Sequence, residues 1–280
     1  MYPIVKRRDL TKGIVLFEVE APAVAAKALA GQFVIVRANE KAERIPLTVM
    51  DFNREKGTIT IVVQEVGYSS TIINRLQEGD AFQDFVGPLG VPTEIENYGR
   101  VACVAGGLGA APMYPIARAL KEAGNEVISI IGARNKDLII LTEEMEAVSS
   151  KLVISTDDGS AGIKGYAATA LAQVLEENGG KIDHVWAIGP MVMMRSIVEF
   201  TRPLGIKTIV SMNPIMVDGT GMCGACRISV GGETKFACVD GPEFDGHLVD
   251  FDLAMRRLAY FKDAEKRAMA RLDCGGDCGC

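Results

Sequence analysis

The sequence has no excess of positive charge, no long apolar run and almost no histidine. Its 30 Lys and Arg residues are outnumbered by 36 Asp and Glu, and the resulting net charge of −6 gives no broad basic surface for nucleic acid. No apolar run approaches the roughly 20 residues that a membrane span needs, and the N-terminal MYPIVKRRDL lacks the apolar segment of a signal peptide. These absences predict a globular protein that binds neither nucleic acid nor membrane.

Residue sets for nucleophilic or hydrolytic catalysis are missing as well. The two histidines, His184 and His247, belong to no Ser/His/Asp or Cys/His pattern, and no paired carboxylates suggest hydrolysis. His184 begins an apolar strand and is expected to be a packing or surface residue. The seven cysteines are odd in number and clustered, which argues against a disulfide framework. They favour metal ligation in a reducing, cytoplasmic compartment.

Three of the cysteines lie close together and follow an aspartate. Cys223, Cys226 and Cys238 have the spacing C-x2-C-x11-C, and Asp218 extends it to D-x4-C-x2-C-x11-C. Plant-type iron–sulfur sites have C-x4-C-x2-C and a distant cysteine, so Asp218 occupies the first ligand position. A predicted hairpin around Gly231-Gly232 would return Cys238 to the site. We expect a [2Fe-2S] cluster, with a zinc knuckle or metal-free cysteines as alternatives.

The first 98 residues read as an antiparallel β-barrel with one helix near Ser69–Leu76. Short runs rich in Val, Ile, Phe and Thr alternate with turns, as is typical of barrel strands. Two stretches suggest ligand contacts, although an exposed arginine on a strand or a capped helix needs no ligand. The first stretch offers a cation and a hydroxyl beside a strand, and its residues are Arg44, Pro46, Leu47 and Thr48. The second offers a phosphate nest at the start of a helix, and its residues are Gly67, Ser69, Ser70 and Thr71.

Residues 99–212 predict a doubly wound, nucleotide-binding parallel sheet. The apolar strand RVACVAGG runs into a glycine-rich turn, a helix and the strand EVISIIGAR, which is the first unit of such a sheet. Ligands bind at the carboxyl ends of strands in this architecture. The candidate residues at these ends are Gly106, Gly107, Gly109, Ala110, Arg134, Asp157, Gly159, Gly189 and Pro190. Cys103, inside the first strand, is expected to be a core residue.

The order of these motifs resembles the ferredoxin-reductase-like flavoproteins over nearly the whole chain. The motifs are R-x-P-L-T from Arg44, GPLG from Gly87, GGLGAAP from Gly106 and the terminal cysteine cluster. Within that family the chain is similar to the electron-transfer subunits of dihydroorotate dehydrogenase. It is more similar to the small subunits of NADH-dependent reduced ferredoxin:NADP oxidoreductase. Asp218 stands where the dihydroorotate-linked subunits carry a cysteine, and the segment beyond the cluster, expected to be helical, is longer than theirs.

The resemblance implies FAD in the barrel, with Arg44 at its pyrophosphate and Pro46, Leu47 and Thr48 along its ring. The residues on the phosphate and ribose side would be Gly67, Ser69, Ser70 and Thr71. It implies NAD(H) in the cleft of the second domain, and Arg134 leaves NADP(H) open. It also implies a heterodimer with a larger flavin and iron–sulfur subunit that performs electron bifurcation. The expected activity is a relay, in which a nicotinamide exchanges a hydride with the flavin and the cluster passes single electrons to or from the partner.

The resulting domain prediction has four parts: an FAD-binding barrel at 1–98, an NAD(P)-binding α/β domain at 99–212, a [2Fe-2S] segment at 213–250, and a C-terminal helix with a cysteine-containing tail at 251–280. Two other functions stay open. One is electron transfer for dihydroorotate oxidation, and the other is a non-enzymatic redox sensor that binds a nucleotide and a metal but no flavin. The tail cysteines Cys274, Cys278 and Cys280 fit a metal site, a redox pair or a disordered end.

Overall fold

The structure, a computed structural model, describes residues 1–40 and 42–273, and its side chains up to residue 270. The N-terminal part is antiparallel, as the alternating apolar runs predict. Its strands are β1 (Tyr2–Thr11), β2 (Ile14–Glu20), β3 (Phe33–Arg37), β4 (Ile45–Thr48), β5 (Asp51–Asn53), β6 (Thr58–Gln64), β7 (Ala81–Phe82) and β8 (Asp84–Leu89). Its helices are α1 (Pro22–Ala25) and α2 (Tyr68–Asn74).

The predicted barrel consists of two antiparallel sheets around one core. The larger sheet has the order β5-β6-β2-β1-β7, and the smaller has the order β4-β3-β8. Phe17, Phe82 and Phe85 are at most 1% exposed and pack together inside, with ring centroids 6.0–6.2 Å apart for the two edge-to-face pairs. This core fixes β4, which carries three of the candidate residues, against β3.

The second part is the predicted α/β unit. Its elements are β9 (Arg100–Gly106), α3 (Ala110–Glu122), β10 (Glu126–Ala133), α4 (Thr142–Ala147), β11 (Lys151–Thr156), β12 (Ile163–Lys164), α5 (Ala167–Glu177), β13 (His184–Ile188), α6 (Met191–Thr201) and β14 (Lys207–Ser211). These strands pair in parallel in the order β12-β11-β10-β9-β13-β14. The order reverses between β9 and β13, which is where ligands bind in such sheets. Cys103 is fully buried in β9, as predicted.

The C-terminal part begins with the predicted hairpin, β15 (Arg227–Val230) and β16 (Glu233–Phe236). The next strand, β17 (Glu243–Asp245), then joins β14 antiparallel and becomes the edge of the seven-stranded sheet. Two helices follow, α7 (Phe251–Leu258) and α8 (Lys262–Asp273). The segment expected to be helical beyond the cluster is therefore a strand and two helices.

Helix α7 begins where the sequence supplies a cap. The Asp250 carboxylate accepts a hydrogen bond of 2.9 Å from the backbone N–H of Leu253, which ends the extended chain there. The tail cysteines Cys274, Cys278 and Cys280 lie outside the described residues. Among the described residues, no helix combines the length and the apolar character that a membrane crossing requires.

Candidate functional site

A cavity of about 1050 Å³ opens where β4 of the barrel faces the carboxyl ends of β9, β10 and β13. Pro46, Leu47 and Thr48 line the barrel side. The predicted residues on the opposite side are Gly106, Gly107, Gly109, Arg134, Asp157, Gly189 and Pro190. The structure therefore brings ten of the predicted residues around one space, at the switch point of the sheet. This volume is at the upper end of the range for small-molecule sites.

Glycines keep the floor of this cavity flat. A Cβ built on Gly109 would collide with the carbonyl oxygen of Ile188, and one on Gly189 would lie 3.0 Å from the Cα of Gly106. Any larger residue at these positions would push the β9 and β13 turns apart. The exposed backbone can therefore approach a flat ring or a pyrophosphate closely.

Some predicted residues lie elsewhere. Ala110 is buried at the start of α3, and Gly159 lies in the exposed turn after β11, against the side chain of Lys164. Neither belongs to the lining of the cavity. Arg44, Gly67, Ser69, Ser70 and Thr71 also lie outside the lining, and their surroundings decide what they can do.

Arg44 forms an ion pair inside the barrel domain. Its Nε and Nη2 donate to Oδ2 of Asp84 at 3.2 and 3.0 Å, and Nε of Arg37 lies 2.8 Å from the same oxygen. Burial alone would raise the pKa of the Asp84 carboxyl, but the two guanidinium groups hold that pKa below its ordinary value. One carboxylate shared by two cations leaves local positive charge, which favours an anion such as a phosphate.

The hydroxyl groups at the start of α2 are used within the fold. Oγ of Ser70 accepts hydrogen bonds from the N–H groups of Val66 and Gly67 at 3.0 and 2.9 Å. Oγ of Ser69 accepts from the N–H of Glu43 at 3.1 Å, and Oγ1 of Thr71 donates to Glu65 at 3.2 Å. The bond of Ser69 ties the start of α2 to the loop that carries Arg44, and the bonds of Ser70 and Thr71 hold the turn between β6 and α2. A phosphate here would meet the backbone amides of the first turn rather than these hydroxyls.

Sequence reasoning missed one wall of the cavity. This wall is formed beside Pro242 by the last residue of β14, Ser211, and by the residues that follow the strand, namely Met212, Asn213, Pro214 and Met216. A signal was present, because β14 is another parallel strand and its carboxyl end must face the same edge as β9 and β13. The polar Ser211 and Asn213 at such an end were overlooked.

The cysteine loop places the predicted metal ligands near one another. The sulfurs of Cys226 and Cys238 are 3.2 Å apart and both residues are 1% exposed, whereas Cys223 is exposed. The carboxylate of Asp218 accepts hydrogen bonds from the N–H groups of Thr220 and Cys223, both at 2.9 Å. In this arrangement, no group of three Cys, His, Asp or Glu side chains in the described chain already has ligating geometry.

The donor set nevertheless fits an iron–sulfur cluster. Burial, and then the neighbouring thiol of Cys226, raise the pKa of the Cys238 thiol to about 12, so a metal cation is needed to hold it as thiolate. Hydrogen bonds from the N–H groups of Thr220 and Cys223 outweigh partial burial and keep the pKa of the Asp218 carboxyl low. The predicted ligands, Asp218 and the three cysteines, would supply three thiolates and one harder oxygen donor. Paired thiols select iron–sulfur clusters or zinc.

The loop rests on the barrel through Gly219, whose φ is +77°. A Cβ at this position would lie 2.7 Å from Cδ1 of Leu89 and 2.9 Å from Cγ1 of Ile35. Leu89 and Ile35 belong to β8 and β3, and β3 pairs with both β4 and β8 in the smaller sheet. The cysteine loop and the cavity therefore share one sheet of the barrel as their support.

Comparison with known proteins agrees with this geometry. Residues 103–199 match the family profile described as the oxidoreductase NAD-binding domain. Residues 213–250 match the iron–sulfur cluster binding domain of dihydroorotate dehydrogenase B. The nucleotide part and the cluster part of the chain thus each have a recognised counterpart.

Relatives cover nearly the whole chain. A Thermotoga maritima protein named as a dihydroorotate dehydrogenase B (NAD(+)) electron transfer subunit homolog is 48% identical, over 96% of this chain and 94% of that protein. The electron transfer subunit of dihydroorotate dehydrogenase B from Clostridium perfringens is 31% identical, over 87% and 94%. A chain of the solved NADH-dependent reduced ferredoxin-NADP oxidoreductase, a structure described for flavin-based electron bifurcation, is 47% identical, with a TM-score of 0.92 and coverage of 97% and 98%.

More distant structures share the fold alone. Phthalate dioxygenase reductase, 18% identical, aligns with a TM-score of 0.57 over 82% of this chain and 85% of its own. The fold is thus ferredoxin-reductase-like, as the resemblance implied, and the closer relatives narrow the assignment. This chain belongs to the family of dihydroorotate dehydrogenase B electron transfer subunits and their homologues.

Proposed function

We propose that this chain is the electron-transfer subunit of an NADH-dependent reduced ferredoxin:NADP oxidoreductase. In this function it exchanges a hydride with NAD(H) at FAD, and it moves single electrons through a [2Fe-2S] cluster to or from a larger flavin and iron–sulfur subunit. The observation that carries the proposal is the shared support of cavity and cysteine loop, since Gly219 of that loop packs on β3 and β8, which form one sheet with β4.

Bound FAD supplies the two-electron and one-electron chemistry, and the residues of the chain position it. Pro46, Leu47 and Thr48 line the cavity, where the Thr48 hydroxyl would be available to a ring nitrogen and Pro46 and Leu47 would contact the ring. Arg44 and Arg37 supply positive charge for the pyrophosphate, at the cost of loosening their ion pairs with Asp84.

The opposite wall serves the nicotinamide. Gly106 and Gly189 line the cavity, and because they lack side chains their two turns pack closely together with the apolar side chain of Met193. Arg134 and Asp157 stand at the strand ends where the adenosine half would lie, as proposed contacts. An apolar enclosure suits hydride exchange because it keeps solvent away from the reacting carbons.

The cluster ligands are proposed to be Asp218, Cys223, Cys226 and Cys238. The exposure of Cys223 places this edge of the loop at the surface, where a partner subunit can receive electrons. Met222, next to it, is 88% exposed and adds an apolar contact at the same edge. A partner that covers this edge would bring its own cofactor close to the cluster.

The experiment is an anaerobic visible and EPR titration of the purified chain with NADH, with iron and flavin counted. We expect flavin bands that bleach on NADH addition, about two irons per chain, and an S = ½ signal on reduction. Zinc in place of iron, or a chain without flavin and without NADH-dependent dye reduction, would instead support the redox sensor and contradict the proposal.

The second candidate is electron transfer for dihydroorotate oxidation, which the names of several relatives favour. Both candidates predict the same spectra, so the partner decides between them. The assay reconstitutes the subunit that co-purifies with this chain. NADH-dependent exchange between NADP(H) and ferredoxin supports the first candidate, and orotate formation from dihydroorotate supports the second.

A further inference from the structure

Two arginines hold the backbone between the first two cysteines of the cluster loop. Nη1 of Arg227 donates to the carbonyl oxygen of Gly224 at 2.8 Å, and Nη2 of Arg257 donates to the carbonyl oxygen of Ala225 at 3.3 Å. Gly224 and Ala225 are the two residues between Cys223 and Cys226. Both peptide carbonyls in the C-x2-C turn thus accept a bond from a cation.

The two arginines come from different elements. Arg227 begins β15, directly after Cys226, whereas Arg257 is on α7, more than thirty residues along the chain. Helix α7 is held against the hairpin independently, because the N–H of Asp250 donates to Ser229 at 3.0 Å and the N–H of Gly231 donates to Leu248 at 2.8 Å. The packing of α7 on the hairpin therefore holds Arg257 beside the cysteine loop.

Neither guanidinium group is neutralised by a carboxylate among the residues that the structure describes. Other charges nearby are paired, for example Glu233 with Lys235 at 2.8 Å. Arg257 also lines a cavity of about 300 Å³ whose other walls include Ile215, Ile228 and Leu258. Apolar walls lower the local dielectric, so this cation acts more strongly than a fully solvated one.

We infer that Arg227 and Arg257 are positioning residues that raise the reduction potential of the cluster. The inference rests on the proposed cluster at this loop. One-electron reduction adds a negative charge, and two unpaired cations at the C-x2-C turn stabilise the reduced form. A bond to a peptide oxygen also polarises the N–H on the other side of that peptide. A cluster that accepts a bond from the amide of Ala225 or Cys226 would therefore meet a stronger donor, through Arg227 and Arg257 respectively.

The test is a redox-mediator titration with dithionite of the purified holo chain, followed by EPR of the reduced cluster. Arg227→Gln and Arg257→Gln remove the charge and keep an amide donor. Each is expected to shift the one-electron equilibrium about threefold toward the oxidised form, as suits a partly screened cation at a surface. The double variant is expected to shift it about tenfold, which is about 59 mV lower for one electron.

The control is Arg256→Gln on the same helix. Arg256 is exposed and lies outside the cavity, so this variant loses the same charge one residue away without touching the loop. It is expected to keep the potential of the wild-type chain, and Arg257→Lys, which keeps the charge, is expected to stay close to it as well. A potential that responds no more to Arg227→Gln or Arg257→Gln than to Arg256→Gln would overturn the inference.

Two further outcomes are distinguishable. If Arg257→Gln fails to retain iron, Arg227→Gln decides the question, since Arg227 lies exposed on the hairpin and its substitution leaves α7 in place. The measurement needs neither NADH nor a partner. A wild-type chain without a cluster would overturn the proposed function together with this inference, whereas a cluster with an unresponsive potential overturns the inference alone.

Discussion

The contact of Gly219 with the barrel can be tested by adding one methyl group. Gly219→Ala would place its Cβ 2.7 Å from Leu89 and 2.9 Å from Ile35, both closer than real Cβ contacts. Two effects are expected to lower the free energy of unfolding. The φ of +77° disfavours alanine by roughly 1–2 kcal/mol, and the crowding adds about 1–3 kcal/mol, as overpacking of a core does.

Gly232→Ala is a matched control, because alanine there has the same unfavourable backbone conformation but no crowding by neighbouring side chains. Gly232 has a φ of +83°, almost the same as Gly219, and nothing lies within 4 Å of its Cβ position. It belongs to the hairpin of the same segment. Since the backbone strain is common to both variants, the difference between them isolates the crowding against the barrel, at about 1–3 kcal/mol of unfolding free energy.

The assay is thermal unfolding of the holo chain followed by circular dichroism. For a chain of this size about 1 kcal/mol lowers Tm by roughly 2–4 °C, so Gly219→Ala is expected to melt about 2–12 °C below Gly232→Ala. Leu89→Ala should restore part of that difference in the Gly219→Ala background. Equal melting temperatures for the two glycine variants would refute the close packing of the cysteine loop on β3 and β8.

Three further predictions concern other parts of the chain. Burial raises the pKa of the Glu243 carboxyl to about 7, so the folded state binds the extra proton between about pH 4.5 and 7, and stability is expected to fall as pH rises through that window. Glu243→Gln should flatten this part of a Tm-versus-pH curve, and an unchanged slope would disprove the assignment. Gly109→Ala drives a methyl group into the carbonyl of Ile188, so NADH-dependent flavin reduction is expected to need at least tenfold more NADH, about 1.4 kcal/mol, while dithionite reduction is unchanged. Equal NADH dependence of the variant and the wild type would argue against a cleft floor at Gly109. In the iron-free chain, iodoacetamide should label the exposed Cys223 before the buried Cys103, whose pKa burial raises, and peptide mass spectrometry showing the reverse order would contradict the burial of β9.

The parts of the fold that sequence predicts well are those with a local signal. The unit from β9 through the glycine turn to α3 follows from a continuous apolar strand, a run of glycines and a helical pattern. The hairpin of β15 and β16 follows from Gly231-Gly232, both of which have a positive φ. Each depends on neighbours within a few residues.

The parts that sequence did not reveal depend on contacts between distant residues. The ion pair of Arg44 with Asp84, forty residues away, is one example, because no local pattern links the two residues. Likewise, β17 is three residues long and lies in a segment that the sequence predicts to be helical. It becomes a strand because the open edge of β14 supplies its hydrogen bonds, so tertiary context overrides the weak local preference.

The candidate site shows the same division. The strand-end glycines that surround the cavity were predictable, because parallel strands present their carboxyl ends on one edge. The wall formed by residues 211–216 was missed, since the domain boundary expected at residue 212 separated it from the cleft. The sequence indicates the hydroxyls of Ser69, Ser70 and Thr71, but no local pattern shows that Ser69 bonds the loop of Arg44 while Ser70 and Thr71 bond the turn before α2.

The position of β17 has a consequence for communication between the two ends of the relay. The segment that carries the cysteines is attached to the nucleotide sheet through β17, and it is seated on the barrel through Gly219. It therefore bridges the two walls of the cleft. Any closure of the cleft around a dinucleotide must strain or relax that bridge. By thermodynamic linkage, a nucleotide that alters the cluster potential is itself bound more or less tightly, by the same factor, according to the oxidation state of the cluster.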